Sequence, residues 1–207
     1  MAGTMSTTPD SANARQPAFP LVVIASSAGG LAALRGVLSP LPRDFGAAVL
    51  VVQHLERTHL SVMADIIGRH TKLAVRQAED GDAIEPGVVL IAPPNRHLLV
   101  SEDQRVHLTD TGLVHFVRPS ADLLFESAAA IFGDRVIGVV LTGTGMDGST
   151  GVTSVKSHGG TVIAQDEASS EFFGMPAAAA ATGDVDYVLS LTEIPTRLIE
   201  LAGYIDE

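Results

Sequence analysis

At 207 residues and a formal net charge of −11, the chain has room for one ordinary domain with a substantial core, and its charge argues against a general nucleic-acid surface, which draws on clustered Lys and Arg. The absence of cysteine removes disulfides, thiolate metal sites and a cysteine nucleophile together. The opening MAGTMSTTPDSANARQPA lacks the basic start and apolar middle of a signal peptide, and no later apolar run approaches membrane-spanning length, so a cytoplasmic location without membrane insertion is expected.

Residues 1–17 read as a flexible polar tail and 18–207 as one domain. Leu21 to Ile24 form an apolar run too short for a helix, as a strand covered on both faces does. After Gly30, Leu31, Leu34 and Leu38 recur at helical spacing and are expected on one buried face. Between strand and helix, Ser26, Ser27 and Ala28 are small enough for a sharp turn, and Gly29 and Gly30 tolerate backbone angles other residues avoid. The first helical amides then point into the turn without internal partners, which favours an anion near Ser27.

Ala47 to Gln53 is a second buried strand ending at His54, and residues 60–70 put Leu60, Met63, Ile66 and Ile67 on one helical face before Leu73 to Gln77 extends again. Past the charged loop at 79–87, Val88 to Ala92, Leu98 to Val100 and Arg105 to Leu108 are short extended pieces that predict a small antiparallel insertion. Ser120 to Phe132 begins with a capping Ser or Asp and continues as an amphipathic helix. Arg135 to Thr142 is again a buried strand, running into the glycine-rich turn GTGMDGSTG and a helix from Ser149 to His158. Strands at Thr161 to Gln165 and Tyr187 to Leu189 alternate with helices at 175–182 and Glu193 to Ala202. The alternation predicts an α/β fold with a doubly wound, mostly parallel sheet in a Rossmann-like three-layer sandwich.

Ligands of such a sheet sit beyond the carboxyl ends of its strands, and Ser27, His54 and Asp147 each follow a different predicted strand end. Serine attacks a carbonyl only when a neighbouring base takes its proton, histidine as a residue type titrates near neutrality, and a carboxylate behind the imidazole fixes its tautomer. Together they suit hydrolysis of an ester or activated acyl group. Each residue also has a plainer reading. The glycine turn can simply cradle a phosphate, His54 can be a strand-end histidine bonded to a carbonyl, and Asp147 can cap a turn before glycine. Asp166 also follows a strand and is the rival orienter, while no HExxH or EF-hand spacing supports a metal.

Six separated stretches carry a resemblance: VVIASSAGGLAAL at 22–34, VLVVQHL at 49–55, IAPPNRHLLV at 91–100, RPSADLLFESAA at 118–129, GVVLTGTGMDGSTG at 138–151 and AQDEASSEFFGMPAAA at 164–179. In this order they resemble the catalytic domain of the CheB-family chemotaxis protein-glutamate methylesterases, from about Pro20 to Leu201. The resemblance implies Ser27 as nucleophile, His54 as general base and Asp147 as its orienting carboxylate. It further implies hydrolysis of glutamate methyl esters on chemoreceptor signalling helices during chemosensory adaptation. Methanol is released, glutamine deamidation is a related reaction, and no cofactor or metal takes part. Amides at Ala28 and Thr144 are the candidates for holding the oxyanion.

Departures from the family pattern are specific. The usual Gly-Ala-Ser is Ala25-Ser26-Ser27, which makes Ser26 a decoy, and Thr144 stands where many members have methionine. Glu56, Arg57, Thr58 and His59 replace the usual loop after His54 and are expected to border the substrate groove. No receiver domain is expected before Pro20, so a regulatory partner protein is expected in its place. Arg57, Arg69 or Arg96 are candidates for steering an acidic receptor. Two further readings remain open: a non-catalytic signalling or binding module, and an esterase for another substrate.

Overall fold

The computed structural model describes residues 17–54 and 62–203. The tail expected before residue 17, the segment Glu56 to His59 and Leu60 of the second predicted helix lie outside the described residues.

In chain order the elements are β1 (Leu21–Ser26), α1 (Gly30–Leu38), β2 (Ala48–Gln53), α2 (Met63–Gly68), β3 (Ala74–Gln77), β4 (Val88–Ile91), β5 (His97–Val100) and β6 (Val106–Thr109), followed by α3 (Ala121–Phe132), β7 (Val136–Val140), α4 (Ser149–Ser157), β8 (Thr161–Gln165), α5 (Gly174–Ala181), β9 (Tyr187–Leu189) and α6 (Ile194–Ala202). Seven strands form one sheet in the order β3-β4-β2-β1-β7-β8-β9, and every pairing in it is parallel. This is why β1, β2 and β7 read as unbroken apolar runs: helices cover both faces, and all residues of these strands are buried.

Alternate side chains of a strand point to opposite faces, which divides the core in two. Leu21, Val23 and Ala25 pack with Phe125, Ala128 and Phe132 of α3, Val152 and Val155 of α4 and Met175 of α5. Val22 and Ile24 pack with Leu34, Val37 and Leu38 of α1, Ile67 of α2 and Leu198 of α6.

Three expectations are corrected. Val88 to Ile91 is not part of the antiparallel insertion; it pairs in parallel with both β2 and β3, and only β5 and β6 form the antiparallel hairpin. A short apolar run between turns looks the same in either sheet, and its partner is fixed by tertiary packing. Leu31 does not share the buried face of Leu34 and Leu38; it is 36% exposed. Ser120 occupies the N-cap of α3 without a side-chain capping bond, because its hydroxyl is turned to Asp147.

Candidate active site

The register Ser26↔Gln53 makes Ser27 and His54 the next residues on two neighbouring parallel strands, whose backbones lie about 5 Å apart. Asp147 comes from the loop after β7, on the other side of β1. Between β1 and β7 the strand order reverses direction, the place where an open parallel sheet leaves a crevice. Ser27 and His54 line one cleft of about 700 Å³, together with Ala28, Leu31, Arg35, Met63 and Glu171.

Gly29 takes φ 76° and starts α1 from a left-handed conformation, which bends the chain sharply after Ser27. Backbone bonds pin the turn: the Ser27 amide donates to the Thr142 carbonyl at 3.0 Å, and the Ser27 carbonyl accepts from the Gly30 amide at 2.9 Å. Gln53 adds a further tie, its Nε2 donating to the carbonyls of Ser27 at 2.7 Å and His54 at 3.0 Å. A side chain at position 30 would overlap the Gln53 carboxamide oxygen, so the glycine makes room for this bracket.

The two adjacent serines separate clearly. Ser26 is fully buried and donates to Gln53 Oε1 at 2.6 Å. The Ser27 hydroxyl faces the cleft and has no hydrogen-bond partner among the described residues. Ser26→Ala is therefore expected to lower thermal stability by about 1–3 kcal/mol, because it strands a buried amide oxygen, while turnover is largely kept. Thermal unfolding and steady-state kinetics on the same preparation check this.

Asp147 is 4% exposed. Its Oδ2 accepts from His54 Nε2 at 2.8 Å and from the Ala121 amide at 2.6 Å. Its Oδ1 accepts from the Ser120 hydroxyl at 2.8 Å and from the Asp122 amide at 3.3 Å. The carboxylate thus occupies the positive end of α3 and takes two amides that the helix itself leaves unpaired. Burial alone would raise its pKa; the bonds from His54, Ala121 and Ser120 outweigh that and hold it below the ordinary 3.8. An ionised Asp147 can only accept, so the proton of the shared bond is carried by Nε2 of His54.

Asp122 returns the arrangement. Its Oδ1 accepts from the amides of Gly148 at 2.9 Å and Gly151 at 2.8 Å, at the start of α4, while Oδ2 faces His115 Nε2 at 3.2 Å as an ion pair without hydrogen-bond geometry. Burial, and then the nearby charge of Asp147, push the Asp122 carboxyl up. The signs of the two linkages are opposite. The stabilising contribution of Asp147 is complete above about 3.8 and is lost as pH falls through its depressed value; Asp122 costs stability when ionised, and that cost is relieved as pH falls through its raised value. Below about pH 4, the stability of Asp147→Asn is expected to fall less steeply with acid than that of the unsubstituted chain. Urea midpoints across the acid range measure it.

Sequence reasoning missed the supports. Fully buried His97 accepts the Ser120 amide on Nδ1 at 3.1 Å and donates from Nε2 to the Gly112 carbonyl at 3.0 Å, fixing the serine that braces Asp147. A glutamine ending an apolar strand was the signal for Gln53. Nothing local marked His97. Asp166 is occupied elsewhere, its Oδ1 accepting from the amide and hydroxyl of Ser169 at 2.9 and 2.6 Å.

The amides of Ala28 and Thr144 donate no hydrogen bond among the described residues, and Gly143 packs against Ser27, which brings the Thr144 loop beside the Ser27 turn. Of the arginines expected to steer a receptor, Arg57 lies outside the described residues, Arg96 is tied to the Leu108 carbonyl at 2.7 Å and Arg69 follows α2; among the described residues the arginine that lines the cleft is Arg35. Among the described residues no group of three His, Asp or Glu comes together as a metal site requires.

Comparison with known proteins gives a consistent result. The chain is 45% identical over 192 residues to a protein-glutamate methylesterase/protein-glutamine glutaminase of Anaeromyxobacter dehalogenans, covering 93% of this chain and 56% of the relative. A putative protein-glutamate methylesterase/protein-glutamine glutaminase of Leptospira interrogans is 37% identical, with 88% of this chain and 95% of the relative covered. The chain thus spans about half the length of several curated relatives, 45% of one from Moorella thermoacetica and 53% of one from Cupriavidus pinatubonensis among them, and nearly all of the Leptospira protein. The crystal structure of the Thermotoga maritima CheB methylesterase catalytic domain superposes with a TM-score of 0.87 at 39% identity, covering 90% of this chain and 100% of that one. With the family model for CheB methylesterase matching residues 22–198, on which all three strand ends and both glycine turns lie, the chain belongs to the CheB methylesterase family.

Proposed function

We propose that this domain hydrolyses γ-methyl esters of glutamate on chemoreceptor signalling helices, with Ser27 as nucleophile, His54 as general base and Asp147 as the carboxylate that orients it. The observation that carries this reading is the 2.8 Å bond between His54 Nε2 and Asp147 Oδ2 beside a cleft that also holds the Ser27 hydroxyl, which has no partner among the described residues. With Nε2 committed to Asp147, His54 Nδ1 takes the Ser27 proton as Oγ attacks the ester carbonyl. The oxyanion that develops is met by the free amides of Ala28 and Thr144, at the positive end of α1. The imidazolium then gives its proton to the departing methoxide, and methanol leaves. Water, deprotonated by the same imidazole, cleaves the acyl-enzyme to glutamate and restores Ser27.

The cleft rim supports a protein substrate. Of the seven large apolar side chains exposed among the described residues, Leu31 lines the cleft, and Val62 and Phe172 adjoin the cleft-lining Met63 and Glu171 in sequence. An amphipathic receptor helix offers such a rim an apolar face, where a small free ester would leave it wet. The names of the relatives also include protein-glutamine glutaminase, and the same machinery acts on a neutral side-chain amide, with ammonia as the leaving group. No helix of the described residues is long and apolar enough to cross a membrane, which fits work on the cytoplasmic part of a receptor.

The experiment is methanol release from methylated chemoreceptor, run beside a panel of small methyl esters. Turnover of the receptor with much weaker action on the small esters is expected. Receptor helices that bind without turnover would instead make the domain a binding module.

A further inference from the structure

We propose that Glu171 is a specificity-determining residue that keeps the cleft selective for a neutral glutamyl ester or amide over the glutamate produced from it. The inference rests on the hydrolytic reading above for the identity of substrate and product.

Glu171 lines the same cleft as Ser27 and His54, and it lies against the nucleophile turn: a β-carbon built on Gly29 would come within 2.7 Å of its Oε2 and 3.0 Å of its own β-carbon. Its place is set by the backbone. The Phe172 amide donates to Thr142 Oγ1 at 2.9 Å, the Gly143 amide to the Phe172 carbonyl at 2.9 Å, and the Met175 amide to the Gly143 carbonyl at 2.9 Å. The side chain is exposed and its carboxylate has no hydrogen-bond or ion-pair partner among the described residues. The cleft's arginine, Arg35, stands more than one helical turn beyond Gly30 along α1 and forms no ion pair with Glu171.

The reaction changes the charge of what occupies the cleft. A neutral methyl ester and water become a carboxylate, a proton and methanol, and a glutamine side chain likewise becomes a carboxylate on losing ammonia. A fixed negative group beside the reacting carbonyl leaves the neutral substrate almost untouched and repels the product. Across a partly exposed cleft this amounts to about threefold to tenfold in affinity, and salt diminishes it. A receptor helix carries several glutamates, so rejecting those already demethylated keeps the cleft free for those that are not.

The test compares two peptides of identical receptor-helix sequence, one with glutamine and one with glutamate at the modified position. Their dissociation constants are measured on Ser27→Ala protein, and again with Glu171→Gln or Glu171→Asp added. Glu171→Gln is expected to narrow the preference for the glutamine peptide at least about threefold, through tighter binding of the glutamate peptide, and Glu171→Asp to retain it. On protein with Glu171 intact, the preference is expected to shrink as salt is raised. A preference unaltered by Glu171→Gln overturns the proposal, as does failure of both peptides to bind. A variant that only melts lower, with the preference intact, would reduce Glu171 to a charge partner of the α1 terminus and overturns it too. Methanol release by the unsubstituted chain is scored separately: no turnover with a shifted preference sinks the hydrolytic reading alone, and turnover with an unshifted one sinks only the role of Glu171.

Discussion

Ser27→Ala is expected to reduce methanol release from methylated receptor by at least about 10⁴-fold in kcat while leaving the fold and receptor binding in place. Loss of the hydroxyl removes the only hydroxyl group among the described residues that line the cleft, and the amides of Ala28 and Thr144, which donate no hydrogen bond among the described residues, are left to stabilise an oxyanion that has no efficient way to form. Because the hydroxyl has no partner among the described residues, its removal strands nothing, and the melting temperature is expected to stay within the scatter of repeat scans. Burst-phase and steady-state methanol assays, with receptor binding measured in parallel, separate chemistry from binding. Retained turnover in Ser27→Ala, with turnover lost in Ser26→Ala, would falsify the assignment of the nucleophile.

Asp147→Asn is expected to cost up to about 10⁴-fold in kcat and to destabilise the fold as well. The carboxylate accepts four hydrogen bonds, from His54, Ala121, Ser120 and Asp122. An amide keeps one accepting oxygen. If that oxygen stays with Ser120 and Asp122, the new NH₂ meets the Ala121 amide, donor against donor, and His54 can bond it only by accepting through Nε2. The imidazole proton then moves to Nδ1 and points at Ser27, the wrong tautomer for a base. Loss of the negative charge at the start of α3 adds about 1–2 kcal/mol of destabilisation. The kinetic loss is expected to exceed the fraction of protein unfolded at the assay temperature by orders of magnitude, which a melt and an assay on the same sample decide. A loss below about tenfold removes Asp147 from the orienting role.

The local chain was informative where burial imposes a pattern. A strand covered on both faces has little choice but to be apolar throughout, so β1, β2, β7 and β8 stood out, and a turn after each had to be small or glycine-rich to bring the next helix back onto the sheet. The antiparallel hairpin is legible as two short strands, but the local pattern places β4 with it rather than in the parallel sheet where it pairs. Length and hydropathy are the same for an insertion strand and a sheet strand, and the deciding bonds are to β2 and β3, far away in sequence. Ser120 shows the same limit at a single side chain: its position before a helix predicts a cap, and its hydroxyl went instead to a carboxylate delivered by another loop.

What the sequence by itself determined is that a hydroxyl, an imidazole and a carboxylate each follow a buried strand, because strand and turn are dictated by neighbours a few residues apart. Tertiary structure alone decided that these three strands are adjacent in the order β2-β1-β7, that Ser26 turns into the protein to meet Gln53, and that Glu171 lies against Gly29. The physical reason is that strand pairing, and the hydrogen bonds and charges it brings together, join groups whose separation along the chain carries no local energetic signature.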